Sequence, residues 1–288
     1  MKVAVVGANG QLGRDVVSCF ASKGDDVIAM NHEDIDIANL SSVSNALRNS
    51  EAALIVNTAA MHHVDRCEEH PDLAFAVNGI GSRNLALVAR EIGAALMHVS
   101  TDYVFDGTKG TPYTEGDAPG PLNVYGNTKL AGEYFIRSMT EKHFVVRTSA
   151  IYGQSPCRAK GGLNFVELML KLAKERGKVR VVDSEFVSPT FTAELAEQMV
   201  ELGHTELYGL YHCTAEGSCS WYEFAREIFA LTNTPVELNI AAPNEFPAKV
   251  PRPQYSVLEN SALKVRCLNL FTRWDEGLRK YLQHRVAA

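Results

Sequence analysis

A tyrosine and a lysine four residues apart are the most informative pair of reactive side chains in the sequence. Among the ten tyrosines, Tyr125 alone has a lysine four residues later, at Lys129 in the segment YGNTK. Four residues make about one helical turn, so a helix here places both side chains on one face. A lysine ammonium favours phenolate, lowers the tyrosine pKa and can also bind ribose hydroxyls. We therefore predict that Tyr125 gives a proton to a carbonyl oxygen, although an exposed helical pair has the same spacing.

A threonine stands where an apolar strand ends. Residues 94–99 (AALMHV) are followed by STDYVFDG, so Thr101 lies at the outer end of the predicted strand. In proteins of alternating strands and helices, the carboxyl ends of the strands hold ligands. We expect the Thr101 hydroxyl to hydrogen-bond a substrate carbonyl opposite Tyr125. The alternative is a hydroxyl that satisfies local backbone groups.

Three glycines after the first predicted strand indicate a dinucleotide-binding turn. Gly7, Gly10 and Gly13 have GxxGxxG spacing between a strand at residues 2–6 and a helix that ends near residue 23. Small residues let the backbone approach a pyrophosphate, and the helix amino terminus offers free N–H groups to it. We predict nucleotide binding here in preference to a structural glycine turn.

The next two predicted strand ends add candidate cofactor contacts. Asn31 follows the second strand and can accept a ribose hydroxyl without repelling a 2′-phosphate, so the sequence is compatible with both NADPH and NADH. Asp36, followed by Ile37, is placed to meet the adenine, or is a solvated loop acid. The third strand is followed by one polar and two small side chains, which either border the cofactor ribose or form a plain strand end: Asn57, Ala59 and Ala60.

Apolar strands alternate with amphipathic helices over the first half of the chain. We predict strands at residues 2–6, 26–30, 53–56, 94–99 and 144–147, and helices after residue 13 and at 40–48, 71–93 and 123–139. Such alternation implies parallel strands with helices on both faces of the sheet. We therefore predict an α/β fold with a doubly wound, Rossmann-like parallel sheet.

The second half of the chain has a looser pattern. Helices are predicted at residues 164–176, 192–203 and 220–231, a strand at 208–213, and a proline-rich ordered loop at 241–256. We assign residues 1–152 to a dinucleotide-binding domain. Residues 153–288 are assigned mainly to a smaller substrate-binding lobe, with some segments returning to the first domain.

The composition argues against several classes of protein. The 288 residues, 46% hydrophobic, suffice for a large core, while a formal net charge of −6 and the lack of a long basic run argue against nucleic-acid binding. The apolar run at the amino terminus is too short for a secretory or membrane-spanning segment, so we predict a cytoplasmic protein.

No metal site is predicted. The six cysteines lack the paired spacing of a zinc site. The segment MHHVDRCEEH crowds His62, His63, Asp65, Cys67 and His70, but its adjacent histidines point apart and no closed ligand set results.

Taken together, the motifs resemble the dTDP-4-dehydrorhamnose reductase family of the extended short-chain dehydrogenases/reductases. The resemblance rests on GxxGxxG, STDYVFDG, YGNTKLAGE and RTSAIYG, and it continues through VDRCEEHPDLAFAVN, SPTFTAELA, GLYHCTAEGSCSWYEFA and PRPQYSVL. It implies reduction of the 4-keto group of dTDP-4-dehydro-L-rhamnose by NADPH or NADH. It implies Tyr125 as proton donor, Lys129 as its modulator and ribose anchor, and Thr101 as the carbonyl partner. It also implies cofactor contacts from Gly10, Gln11, Leu12, Asn31, Asp36, Ile37, Ala59 and Ala60.

The residues after Thr101 favour simple reduction. Sugar-nucleotide dehydratases with a similar fold carry an Asp-Glu pair there, because removing water needs an extra acid and base; here the pair is Asp102-Tyr103. Epimerases of this type usually have a serine pair and VYG instead. Carbonyl reduction needs hydride, one proton donor and a polarised carbonyl. We place Asp102 among the substrate-binding residues.

Three positions depart from the family pattern near the predicted sugar pocket. The family commonly has tryptophan where Ala150 stands, and Gln and Gly where Glu185 and Val187 stand. A lost aromatic wall and an added carboxylate alter the pocket, its specificity or only a loop. Arg252 in PRPQYS is the predicted diphosphate contact, with a surface ion pair as the alternative.

Two other functions stay open from the sequence. One is another nucleotide-sugar reductase or epimerase of the same superfamily. The other is a non-catalytic NADP-binding subunit similar to the regulatory subunit of methionine adenosyltransferase, against which the intact Thr101, Tyr125 and Lys129 argue. The oligomeric state is not fixed, and a homodimer is a candidate.

Overall fold

The first half of the chain forms the predicted alternation of strands and helices. The computed structural model describes residues 1–157, 161–242, 245 and 249–285. Its first elements are β1 (Lys2–Val6), α1 (Gln11–Ser22), β2 (Asp26–Met30), α2 (Leu40–Leu47), β3 (Leu54–Asn57), α3 (Val64–Glu69), α4 (Pro71–Ala74), a π-helical turn (Phe75–Ile80), α5 (Gly81–Ile92), β4 (Ala95–Thr101), a 3₁₀ turn (Asp102–Val104), α6 (Val124–Met139), β5 (His143–Thr148) and β6 (Ile151–Tyr152).

Shorter strands are mixed with helices in the second half. The elements are α7 (Phe165–Arg176), β7 (Lys178–Val181), β8 (Phe186–Val187), β9 (Thr190–Phe191), α8 (Thr192–Gly203), β10 (Gly209–His212), β11 (Cys219–Ser220), α9 (Trp221–Leu231), β12 (Glu237–Ile240), α10 (Ser261–Val265) and α11 (Trp274–His284). α9 begins with a capping box, in which the Ser220 hydroxyl accepts from the Glu223 N–H and the Glu223 carboxylate accepts from the Ser220 N–H.

The central sheet has six strands in the order β2-β1-β3-β4-β5-β10, and each neighbouring pair is parallel. This confirms the predicted α/β fold. The strand order reverses between β1 and β3, so the loops that follow these two strands leave in opposite directions. A crevice at the carboxyl edge results, which is where ligands bind in open parallel sheets.

Helices bury both faces of this sheet. Apolar side chains of α1 and α8 pack with one face, and those of α2, α5 and α6 pack with the other. A third core joins α7, α9 and α11 away from the sheet. Because β10 pairs with β5 and α8 packs on α1, parts of the second half belong to the first sheet. The domain division at residue 152 stays a prediction.

Helix α6 is held unusually close to its neighbours by two glycines. Asn123 caps its start by accepting a hydrogen bond from the Gly126 N–H. A Cβ on Gly126 would lie 2.3 Å from the Tyr103 carbonyl oxygen, and one on Gly132 would lie 2.6 Å from the Asn78 carbonyl oxygen. The helix therefore packs directly on the backbone that follows β4.

One predicted helix is not wholly α-helical. The segment predicted as a helix at residues 71–93 contains the π-helical turn in its middle. Within that turn, the Asn78 amide donates to the Met61 carbonyl and to Thr128, and its oxygen accepts from the Met61 N–H. These contacts give the widened turn tertiary partners, which helical periodicity does not reveal.

Other elements were not predicted. The missed elements are α3, α10, α11 and the strands β6 to β9, β11 and β12. Most of them are short, but α11 is amphipathic over eleven residues and carried a pattern that could have been recognised. The loop predicted at residues 241–256 falls partly outside the described residues, because residues 243–244 and 246–248 are not described. Among the described residues, no helix is long and apolar enough to cross a membrane.

Candidate active site

A cavity of about 300 Å³ opens at the carboxyl edge of the central sheet. The first turn of α1 forms one wall, and the end of β4 and the first turns of α6 form another. Phe165 and Trp221 close it from the second half of the chain. Thr101, Tyr125 and Lys129 all line this cavity, as does Asp102.

Tyr125 and Thr101 meet because α6 starts against the turn that follows β4. The Tyr125 ring packs edge-on against Tyr103, with ring centroids 5.9 Å apart. The Thr101 hydroxyl is close enough to the phenol to lower the pKa of Tyr125. It also accepts from the Tyr103 N–H at 3.1 Å and donates to Asp102 Oδ1 at 3.0 Å. The structure therefore brings the predicted proton donor and carbonyl partner together.

Lys129 is buried one turn further along the same face of α6. Its Nζ donates to the Val99 carbonyl oxygen at 2.6 Å and lies 3.1 Å from His98 Nε2. Burial lowers the pKa of Lys129 to about 8, which the nearby Glu133 carboxylate partly offsets. Lys129 therefore changes its charge at a pH close to 8, well below the range of an exposed lysine.

The expected lowering of the Tyr125 pKa by Lys129 is not seen in this structure, and the role of Lys129 as its modulator stays a prediction. Burial raises the pKa of Tyr125 well above its ordinary value, the Thr101 hydrogen bond lowers it, and the Asp102 carboxylate raises it. Lys129 Nζ bonds instead to Val99 and His98. The spacing in YGNTK predicts a shared face, but it does not reveal that a backbone carbonyl and an imidazole contact the Lys129 amino group.

Asp102 is a buried acceptor for three hydroxyl groups. Its Oδ2 accepts from Ser149 at 2.8 Å and from Ser256 at 2.6 Å, while Oδ1 accepts from Thr101. Burial raises the pKa of Asp102, and the three hydroxyl groups lower it. The carboxylate therefore fixes the Thr101 hydroxyl, and a direct sugar contact by Asp102 stays a prediction.

The glycine turn fits a dinucleotide. Gly7 has φ +81°, and a Cβ there would lie 2.8 Å from both the Ala59 nitrogen and Thr58 Oγ1. A Cβ on Gly13 would lie 2.2 Å from the Gly7 carbonyl oxygen. α1 begins at Gly10 with no side-chain cap and no acidic residue in its first turn. Its leading N–H groups are therefore open to a phosphate, and Gly10, Gln11, Leu12 and Gly13 all line the cavity.

The remaining predicted cofactor residues occupy three environments. Asn31 follows β2, and its side-chain oxygen is buried without a hydrogen-bond partner among the described residues. Asp36 is exposed and accepts from the Ala38 N–H. The Ile37 side chain is buried in the core against Gly81, while Ala60 lines the cavity and Ala59 lies beside Gly7. An orphan acceptor at Asn31 suits a ribose hydroxyl.

Two of the three unusual pocket positions border the cavity. Ala150 lines it with φ +45°, and Val187 lines it from β8. Glu185 is half-buried near Tyr103, whose pKa its charge raises. Phe165 and Trp221 pack with ring centroids 4.6 Å apart, which supplies an aromatic wall that the sequence did not indicate.

Arg252 lies outside the cavity lining. Its Nη2 is 3.9 Å from Asp65 Oδ1, a long and partly exposed ion pair, and its charge lowers the pKa of Tyr103. The guanidinium is therefore close to the Tyr103 side of the cavity without a strong partner in that pair. Its diphosphate role stays a prediction.

The histidine-rich segment after β3 is dispersed in the fold. His62 lines the cavity, His63 caps α3 by accepting from the Arg66 N–H, and Cys67 is buried. Within the described part of the chain, no group of three or more His, Cys, Asp or Glu side chains could hold a metal ion.

A family model described as the RmlD substrate binding domain matches residues 1–286. The chain belongs to this family. Spore coat polysaccharide biosynthesis protein SpsK of Bacillus subtilis is 40% identical over 100% of the chain and 99% of that protein. A dTDP-4-dehydrorhamnose reductase of Streptomyces griseus is 37% identical over 95% of the chain and 90% of that protein. The crystal structure of dTDP-4-dehydrorhamnose reductase from Bacillus anthracis in complex with NADP has a TM-score of 0.93 at 38% identity, covering 98% of each chain.

Membership of the RmlD family confirms the resemblance and the fold predicted from the sequence. The chain is an oxidoreductase of the extended short-chain dehydrogenase/reductase type. The predicted nicotinamide cofactor is confirmed at the level of the family, since the Bacillus anthracis structure contains NADP. The comparisons leave the particular sugar open, because SpsK carries a name that states a pathway and no substrate.

Sequence reasoning missed His98 at the base of the site, and it placed Asn57 at the cofactor edge without its contact to His98. His98 and Asn57 are neighbours across the parallel strands β4 and β3 and are both buried. A signal for them was present: His98 interrupts the apolar run of β4, and Asn57 ends the apolar run of β3. Buried polar side chains need partners, and here His98 contacts both Asn57 and Lys129.

Proposed function

We propose that the protein reduces the 4-keto group of dTDP-4-dehydro-L-rhamnose to give dTDP-L-rhamnose, with NADPH or NADH as reductant. One observation carries this proposal: Thr101, Tyr125 and Lys129 line the same cavity as the uncapped start of α1. A carbonyl carbon in this cavity would have a proton donor and a hydroxyl beside its oxygen, next to a phosphate-binding turn.

The raised pKa of Tyr125 suits the reductive direction. A phenol that stays protonated at neutral pH is ready to donate to a developing alkoxide. The cofactor, when bound, supplies the hydride. Gly10, Gln11 and Gly13 would hold its pyrophosphate, and Lys129 its ribose, while Tyr125 delivers the proton to the substrate oxygen.

Thr101 has one proton to give, and that limits its role. In the structure the proton points to Asp102 Oδ1, and the oxygen accepts from the Tyr103 N–H. For Thr101 to polarise a carbonyl, its proton must turn from Asp102 to the substrate oxygen. Ser149 and Ser256 still donate to Asp102 after that turn, so the carboxylate keeps partners.

The surroundings of Asp102 support reduction over dehydration. Dehydration of a sugar needs a free acid and base beside the ring, whereas both Asp102 oxygens accept hydrogen bonds from hydroxyl groups. Tyr103 occupies the next position, and burial raises its pKa, so it is a poor general base. Neither residue supplies the second acid–base pair that loss of water requires.

The sugar specificity rests on the aromatic wall. Phe165 and Trp221 lie across the cavity from the strand ends and offer an apolar surface to a deoxysugar methyl group or a base. In this proposal they replace the tryptophan that the family commonly has at Ala150. Arg252 is then the diphosphate contact, released from its long ion pair with Asp65.

The test follows oxidation of NADPH by the purified protein with dTDP-4-dehydro-L-rhamnose, and in parallel with other 4-keto-6-deoxy nucleotide sugars. The proposal predicts the highest kcat/KM for the dTDP-rhamnose precursor. Tyr125→Phe should lower kcat at least about a hundredfold with cofactor affinity nearly unchanged. Tyr134→Phe, an exposed tyrosine on the same helix, is the matched control and should keep full activity.

Each other outcome is informative. A higher kcat/KM for a different 4-keto sugar reassigns the substrate and keeps the reaction. Tight NADPH binding with no turnover of any 4-keto nucleotide sugar would favour a non-catalytic binding subunit. A fully active Tyr125→Phe variant removes Tyr125 from the chemistry.

A further inference from the structure

A buried hydrogen-bond chain runs from the end of β3 to Lys129. The Ala59 N–H donates to Asn57 Oδ1 at 3.0 Å, Asn57 Nδ2 lies 3.0 Å from His98 Nδ1, and His98 Nε2 lies 3.1 Å from Lys129 Nζ. Asn57, His98 and Lys129 are each at most 2% exposed. Water therefore has little access to the chain, and its donors and acceptors must match one another.

The backbone N–H of Ala59 fixes the direction of this chain. A backbone N–H only donates, so the Asn57 side-chain oxygen faces Ala59 and its NH₂ group faces His98. His98 Nδ1 must then accept. A neutral imidazole that accepts at Nδ1 carries its proton at Nε2, and that N–H points at Lys129 Nζ.

A lysine ammonium has three donors and no acceptor, so it does not match an N–H group. A neutral amine matches, because its lone pair accepts from His98 Nε2 while one of its protons goes to the Val99 carbonyl at 2.6 Å. We propose that Asn57 and His98 are positioning residues that favour the neutral amine of Lys129, and that the ammonium forms only when this chain reverses. Reversal means His98 protonated at Nδ1 and the Asn57 amide rotated.

The other groups near Lys129 do not provide the missing acceptor. Glu133 lies on the next turn of α6, but its carboxylate is engaged by Arg147 from β5 and by Ser100. Cys67 from α3 is a buried thiol whose pKa is raised to about 11, so it is uncharged at neutral pH. Tyr125 is likewise a protonated phenol. The lowered pKa of Lys129, near 8, agrees with a site that disfavours the charge.

His98 cannot take a second proton to relieve the mismatch. It is fully buried, and both burial and the Lys129 charge hold its pKa well below the ordinary value. The pair therefore shares its protons in one of two neutral-imidazole arrangements. The tautomer of His98 and the charge of Lys129 should change together.

This coupling can be measured in the cofactor-free protein by nuclear magnetic resonance. With ¹⁵N-labelled histidine and ¹³C-labelled lysine, His98 should be protonated at Nε2 above pH 8 and switch to Nδ1 at the midpoint where Lys129 gains its proton. A His98 tautomer that stays the same through the Lys129 titration would overturn the proposal.

Asn57→Asp tests the direction of the chain. The new carboxylate accepts from both the Ala59 N–H and His98 Nδ1–H, so the Nε2 lone pair faces Lys129 and favours ammonium. The Lys129 midpoint should rise by about one pH unit or more. The added charge alone also raises it, so the same substitution is made with His98→Phe, which keeps the charge and removes the chain. An equal rise with and without His98 refutes the role of the chain.

The hydrogen-bond chain rests on the proposed function in one respect, because only its kinetic test needs the reductase activity. In an active reductase, the basic limb of the kcat/KM profile should move to higher pH in Asn57→Asp together with the Lys129 midpoint. If His98 and Lys129 titrate together but no 4-keto sugar nucleotide is turned over, the proposed reaction is rejected and the hydrogen-bond chain is supported. If a 4-keto sugar nucleotide is turned over but His98 and Lys129 do not titrate together, the role of the hydrogen-bond chain is rejected and the proposed reaction is supported.

Discussion

Breaking the buried ion pair between Glu133 and Arg147 should cost more stability than breaking an exposed ion pair. Glu133 lies on α6, one turn after Lys129, and Arg147 lies on β5. Two parallel hydrogen bonds join them, from Arg147 Nε at 2.9 Å and Nη2 at 2.6 Å, and the Ser100 hydroxyl adds a third at 2.5 Å. Because their side chains are 0% and 2% exposed, neither charge has water as a substitute partner.

We predict that Glu133→Leu destabilises the protein strongly. It leaves the Arg147 guanidinium buried without a counter-charge, and breaking such a pair costs about 3 to 5 kcal/mol. At roughly 2 to 4 °C per kcal/mol for a chain of this size, Tm should fall by about 6 to 20 °C. Arg147→Met leaves the carboxylate unpaired and should have a loss in the same range.

The double variant Glu133→Leu/Arg147→Met separates the cost of an orphaned charge from the value of the pair. Replacing both charges by apolar side chains of similar volume is often neutral or stabilising, so the double variant should be more stable than either single one. Thermal unfolding followed by circular dichroism measures all four proteins. Single variants that lose less than about 1 kcal/mol, or losses that simply add in the double variant, would refute this reasoning.

Three further changes test the candidate site. Thr101→Val should lower kcat by about 10²- to 10³-fold in the reductase assay, because the carbonyl oxygen loses a hydrogen-bond donor. Thr101→Ser keeps the hydroxyl and should retain most activity. Equal rates for the two variants would contradict the role of Thr101 as a donor to the carbonyl. The kcat/KM for reduction should be constant below about pH 8 and fall about tenfold per pH unit above it, because Lys129, with its pKa near 8, is charged only on the acid side; a flat profile to pH 10 contradicts this. Gly13→Ala should abolish measurable NADPH binding in calorimetry, because its Cβ would lie 2.2 Å from the Gly7 carbonyl oxygen. Gly116→Ala is the control and should bind NADPH normally, because the atom nearest to its Cβ, Thr114 Oγ1, is 3.8 Å away.

The sequence was sufficient for the central sheet and for bringing the candidate catalytic residues to one edge of it. Strands such as KVAVV and ALMHV are short, apolar and bounded by polar or glycine residues, so their ends could be placed within one or two residues. Once parallel strands are assigned, their carboxyl ends must share one edge. For this reason the sequence predicts that Thr101, Tyr125 and the glycine turn lie at the same edge of the sheet.

The electrostatic state of the site could not be predicted in the same way. The pKa of Tyr125 depends on how deeply α6 is buried, and this depth is fixed by the close approach of Gly126 to the Tyr103 carbonyl. Lys129 Nζ contacts two residues of β4, His98 and Val99, and His98 pairs with Asn57 of β3 through a strand register that no spacing along the chain expresses. Helical spacing predicts which side chains share a face, while their charges follow from tertiary neighbours.

The hydrogen bonding of Asp102 also depends on a tertiary neighbour, which lies more than 150 residues away in the sequence. Ser256, which donates to Asp102 at a separation of 154 residues, lies just after the PRPQY motif that carries Arg252. Removal of the Ser256 hydroxyl, as in Ser256→Ala, would withdraw one of the three hydroxyl donors from Asp102. The carboxylate would then hold the Thr101 proton more strongly, so the hydroxyl would turn less readily toward the substrate oxygen. The orientation of the Thr101 hydroxyl is therefore linked to the segment predicted to bind the far end of the substrate. A Ser256→Ala variant should lower kcat in the reductase assay and leave cofactor affinity unchanged, and an unchanged kcat would contradict this link.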